Sequence, residues 1–107
     1  MIVNLTPHAI TVVRPGAELG EIFKPDGSVA RVTATRELSR TVDGIPVFRS
    51  TYGKVEGLPG EVPGTYWLVS AMVRQAVPHR RDVLSPGELI RDDKGQPTGC
   101  RGLEGNQ

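Results

Sequence analysis

Apolar positions in this chain come in short bursts, and proline or glycine closes most of them. ITVVR (10–14) is β-branched and runs into Pro15-Gly16. Pro pre-sets φ and Gly admits positive φ, so that pair turns the backbone. Ala30, Val32 and Ala34 alternate with Arg31 and Thr33, the period of a half-buried strand. Residues 21–24 lie just upstream, across Pro25-Asp26-Gly27, and that turn chemistry predicts a hairpin joining 21–24 to 28–33. TRELSRTVDG (35–44) is polar and reads as a loop. Ile45 to Thr51 reads as an edge strand, because Pro46 lacks the N–H that a central strand needs. Gly53 and Gly57 bracket a short segment around Val55, and LPGEVPG (58–64) is a turn-rich connection.

TYWLV (65–69) is the strongest strand signal, aromatic and β-branched. The period then changes. Val69, Met72, Val73, Ala76 and Val77 share one helical face. Ser70 is placed to cap that helix, and Pro78 stops it by biasing Val77 away from helical geometry. A helix of about two turns does not stand alone in water, so it must pack on the sheet. Residues 88–91 and 98–103 flank Asp92-Asp93-Lys94-Gly95, a second predicted hairpin.

The sum is a mainly β (β-rich α+β) domain. It is expected to be a small, mostly antiparallel, partly closed barrel of about six to seven short strands, with one short helix near 70–77. A β-sandwich is the alternative. Residues 1–103 are expected to form this single domain, with 104–107 as a frayed tail.

Composition narrows the function. In 107 residues there are 13 Gly, 9 Pro and few aromatics, so the core must be aliphatic. Thirteen basic and twelve acidic residues leave a net charge of +1, too little to steer the chain onto DNA or an anionic membrane. Nucleic acid is therefore not an expected partner. Cys100 is alone and can form no internal disulfide. The start, MIVNLTPHAITVV, reads as a first strand rather than a signal peptide, and no apolar run is long enough to span a bilayer. A cytoplasmic protein without a membrane segment is the expectation.

The densest polar cluster is His79, Arg80, Arg81 and Asp82, just past the predicted helix. Two guanidiniums can grip a phosphate or carboxylate while Asp82 orients one of them; alternatively, Asp82 pairs with one Arg and the other is solvated. His79, beside two cations, favours its neutral ring. Asn4 or Thr6 can bond the backbone locally and fix a turn, leaving His8 to point into a site or to satisfy a buried carbonyl. Arg49, Ser50, Thr51 and Tyr52 offer a cation, hydroxyls and a ring, which suits a nucleotide or a plain strand exit. Arg91, Asp92 and Arg101 suit cross-strand pairing, and Cys100 suits a small buried hydrophobe. There is no phosphate-binding glycine motif, no nucleophile elbow and no metal-ligand spacing. Neither a metal nor another cofactor is expected.

The segments NLTPHAI, TYGKVEGLP, LVSAMV, RRDVLSPG and IRDDKGQPTGCRGL resemble those of a group of small proteins of bacteria and their phages. The resemblance spans nearly the whole chain. It implies a complete domain and a phage or prophage setting, and it carries no catalytic residues over to this sequence. Such a setting favours a compact inhibitor or ligand sponge over a metabolic enzyme.

The expected function is a small non-enzymatic binding protein that sequesters an anionic ligand such as a nucleotide-derived signal. His8, Arg49, Thr51, Tyr52, Ser70, His79, Arg80, Arg81 and Asp82 are the candidate binding residues. An oligomer is expected, since a small aliphatic domain gains core by pairing. The alternative is an interaction module that blocks a host protein through an exposed apolar patch or strand edge. A small hydrolase using His8 or His79 as general base ranks below both.

Overall fold

Among the described residues, eight strands and one helix follow along the chain: β1 (Ile2–Asn4), β2 (Ile10–Val12), β3 (Glu21–Phe23), β4 (Arg31–Val42), β5 (Ile45–Glu56), β6 (Tyr66–Leu68), α1 (Ala71–Ala76), β7 (Val83–Arg91) and β8 (Pro97–Gly105). The computed structural model describes residues 1–106. Strands take 52% of the residues and the helix 6%, so the chain is mainly β.

Six strands form one sheet in the order β1-β6-β7-β8-β2-β3. Its two outer strands meet through Asn4. The Asn4 carbonyl accepts from Asp26 N at 2.9 Å, and the Asn4 amide donates to the Phe23 carbonyl at 2.8 Å. The sheet is thereby nearly closed and barrel-like, which leaves little free edge. The antiparallel pairs β2–β3, β4–β5 and β7–β8 carry most of the ladder, while β1–β6, β6–β7 and β2–β8 are parallel. Parallel neighbours need a crossover, and α1 supplies it between β6 and β7.

The helix forms where the periodicity places it. Ser70 Oγ accepts from Val73 N at 3.3 Å, and the backbone leaves helical geometry at Val77. Val73 points inward to join Leu5, Ala30, Val69 and Val83, with Val3, Val32, Val55, Leu58, Trp67 and Val77 packed around them. Cys100 is 1% exposed and packs as a small core residue, its thiol facing the Thr11 carbonyl.

Three expectations are corrected. Residues 21–24 and 28–33 form no hairpin: β3 pairs with β2, and the turn at 25–27 leads out of the barrel instead. Residues 35–44 are not a loop. They belong to β4 and its turn, and β4 and β5, twelve residues each, form a separate two-stranded ribbon. Asp43 (φ 50°) and Gly44 (φ 79°) make its tight turn, the left-handed pair that best matches strand twist. Finally, among the described residues Arg91 forms no cross-strand ion pair. It donates to the Gly95 carbonyl, while the Asp92 carboxylate accepts from Lys94 N and Gln96 N to hold the β7–β8 turn.

The ribbon is an arm. The radius of gyration is 16.2 Å and the longest extent 49 Å, against about 13 Å for the radius of a compact chain of this length. At the other end of the chain, Glu104 and Gly105 complete β8. Asn106 then donates to the carbonyls of Arg74, Val77 and Arg80. Of the expected tail, residue 107 lies outside the described residues.

Candidate ligand-binding clefts

The His79–Asp82 corner divides in two. Arg80 folds inward and its side chain is only 14% exposed. Its Nε and Nη2 donate to the two Asp82 carboxylate oxygens at 2.8 Å each, and Nη2 also reaches the Pro59 carbonyl at 2.9 Å. Glu61 stands 3.7 Å away. The fork-to-fork geometry satisfies both groups. Hydrogen bonding from Arg80 holds the Asp82 carboxyl below its usual range, against the opposing effect of burial. The same bond holds the Arg80 guanidinium above its ordinary value. Trp67 Nε1 is buried with no hydrogen-bond partner in range among the described residues. Arg80 is therefore a brace between the 58–64 connection and the segment that enters β7, and the expected two-arginine grip does not form.

His79 and Arg81 remain exposed. With Asp82, Glu61, Thr65 and Tyr66 they line an open cleft of about 650 Å³. Its two carboxylates outnumber Arg81, the one permanent cation among its lining residues, so it has little preference for an anion.

A different cleft, of about 500 Å³, lies between the foot of the arm and α1. Pro7, Val29, Ala30, Val32, Met72 and Val73 give it an apolar floor, and Arg31, Thr33, Lys54, Glu56 and Ser70 line its rim. Among the described residues neither Arg31 nor Lys54 has a carboxylate within ion-pair distance. Arm register brings these two cations together across 23 residues of sequence. Arg31 pairs with Glu56 in the ladder, and β5 carries an extra residue between the Val32–Val55 and Ala34–Tyr52 pairs. Such a bulge re-aims the side chains beside it. Gly57 supports the approach of this segment: its φ is 79°, and a Cβ there would sit 2.5 Å from the Val29 carbonyl oxygen.

The other candidates scatter. Ser70 lines the arm-foot cleft while capping α1. Tyr52 stands over α1, its hydroxyl in a long 3.4 Å hydrogen bond to Gln75. Arg49 and Thr51 lie on the arm, Arg49 3.8 Å from Glu37 and Thr51 bonded to the Thr35 carbonyl. His8 is exposed, and its backbone carbonyl, not its ring, serves the turn. That carbonyl accepts from Asn4 Nδ2 and Thr6 Oγ1, while Asn4 Oδ1 accepts from Thr6 N and Oγ1. The nine candidates thus do not share one pocket. Sequence reasoning missed Arg31 and Lys54, which stand in unremarkable strand contexts; only the alternation around Val32 placed Arg31 on a strand face at all.

Compared with protein-family models, with curated proteins and with solved structures, the chain matches none. No helix is long and apolar enough to cross a membrane.

Proposed function

We propose that the protein binds a small anionic ligand with a flat apolar portion, such as a nucleotide-derived molecule, in the cleft between the arm foot and α1. One observation carries this: Arg31 and Lys54, with no carboxylate in ion-pair range among the described residues, line the same cleft as Val29, Val32, Met72 and Val73. An apolar base needs such a floor, and a phosphate or carboxylate needs such cations. The cleft volume, about 500 Å³, is in the range of drug-sized ligand sites. A sequestering role in a phage or prophage setting suits a site that holds cations and a floor, and a cytoplasmic setting suits a lone buried thiol.

Native mass spectrometry of the protein purified from its own host cells tests this, paired with calorimetric titration of adenosine monophosphate. A nucleotide-sized adduct, lost in the Arg31→Ala/Lys54→Ala double variant, is the expected result. In the titration, losing both cations should weaken binding by about tenfold or more. A clean apo mass together with no heat of binding overturns the proposal.

A further inference from the structure

We propose that Glu56 reads the sugar of the ligand: its carboxylate accepts from the adjacent hydroxyls of a ribose, which makes the arm-foot cleft selective for ribonucleotides over deoxyribonucleotides. This rests on the reading of that cleft as a site for a nucleotide-like anion.

The ladder sets three charged groups on one side of the arm. Arg31 stands directly across from Glu56, and directly opposed residues share a face with their Cβ atoms about 5 Å apart. Lys54 lies two residues before Glu56 on β5, so it shares that face too, about 7 Å away along the strand. All three line the cleft. Arg31 and Lys54 are thus the neighbours of Glu56, yet among the described residues neither lies within ion-pair distance of its carboxylate.

The chemistry of the carboxylate narrows what it can meet. Beside two cations it weakens their hold on an anion. It adds to binding only by accepting hydrogen bonds from the ligand, and a charged acceptor makes the stronger kind. It has two oxygens and no proton to give. Two adjacent hydroxyls complement it, and a ribose presents such a pair about one sugar ring away from its 5′-phosphate. The step of about 7 Å from Lys54 to Glu56 is on that scale. Acidic side chains take ribose hydroxyls in the same way in dinucleotide-binding folds. A 2′-deoxyribose lacks one of the two hydroxyls and leaves a carboxylate oxygen unmatched, which is how a polar site rejects a close analogue.

Calorimetric titration of the full chain with adenosine monophosphate and with 2′-deoxyadenosine monophosphate tests this. The ribonucleotide should bind about tenfold more tightly. In Glu56→Ala that ratio should fall to about one, and the deoxynucleotide should bind no more weakly than it does to the natural sequence, because only a repulsion is lost. A purely structural role for Glu56 would weaken both ligands alike. If Glu56→Ala misfolds by circular dichroism, Glu56→Gln decides: it keeps the shape, loses the charge and should at least halve the preference. Equal binding of the two nucleotides by the natural sequence overturns the proposal, as does a preference that survives undiminished in either folded variant. With adenosine monophosphate still bound, and released in the Arg31→Ala/Lys54→Ala variant, those results leave the cleft itself standing. Heat from neither nucleotide overturns both readings.

Discussion

In the barrel, Asn4 is 2% exposed and its side chain makes four hydrogen bonds, two given and two accepted. On the arm, Leu38 and Ile45 stand 60% and 64% exposed, and the ladder between β4 and β5 does most of the holding. One region pays close attention to polar atoms: Arg74 is bound by Ser85, Glu104 and Asn106, and Arg80 by Asp82 and Pro59. The other leaves large apolar surface in water. The difference separates a region held by satisfied polar atoms from one held mainly by its own ladder. Removing a barrel contact should damage stability, whereas removing an exposed arm side chain should cost little.

The sharpest way to break this contrast is Asn4→Ala. It strands the Phe23 carbonyl and the Thr6 N–H at the point where the barrel closes, with the Thr6 hydroxyl left to the His8 carbonyl, and should cost about 2 kcal/mol in a urea unfolding series. A loss no larger than that of an arm variant would contradict the contrast.

Next comes Asp82→Asn, which takes away the bidentate counter-charge of Arg80 and leaves only Glu61, 3.7 Å away, and should cost about 2 kcal/mol. Its pH dependence sharpens the point. The folded carboxyl is held below its ordinary value, so its contribution is complete above the unfolded pKa of about 3.9 and is lost as pH falls through the lower folded value. Melting temperatures recorded from neutral pH down to about pH 2 should fall less steeply below about pH 4 in Asp82→Asn than in the natural sequence. Parallel curves would remove Asp82 from the acid response.

The smallest effect is expected on the arm. Leu38→Ser, at a position 60% exposed in the natural sequence, should shift unfolding by no more than about 0.5 kcal/mol. A cost of several kcal/mol would mean that the arm packs on its own barrel.

The same contrast explains what was legible in the sequence. Local chemistry was: Ser70 and Pro78 bound the helix, the Asp92–Gly95 turn joins β7 to β8, and the Asn4–Thr6 turn forms as its side chains suggest. The mainly β, barrel-like architecture followed from short β-branched runs between turns. The arm was not legible, because alternation marks a strand only when one face is buried, and residues 35–44 face water on both sides. Pro25-Asp26-Gly27 announced a turn correctly but not which strands it would join. The binding residues were least legible. Arg80 and Arg81 are neighbours of the same type, and what separates them is the reach of Arg80 to a carbonyl 21 residues away.

Sequence by itself determined the elements whose causes lie within a few residues: caps, tight turns, the helix period, and an aliphatic core without a disulfide. Tertiary structure alone decided which strands pair, which arginine is buried and which cations meet over the cleft. Those outcomes depend on chain segments far apart in sequence, whose competition for burial and hydrogen-bond partners no local pattern records.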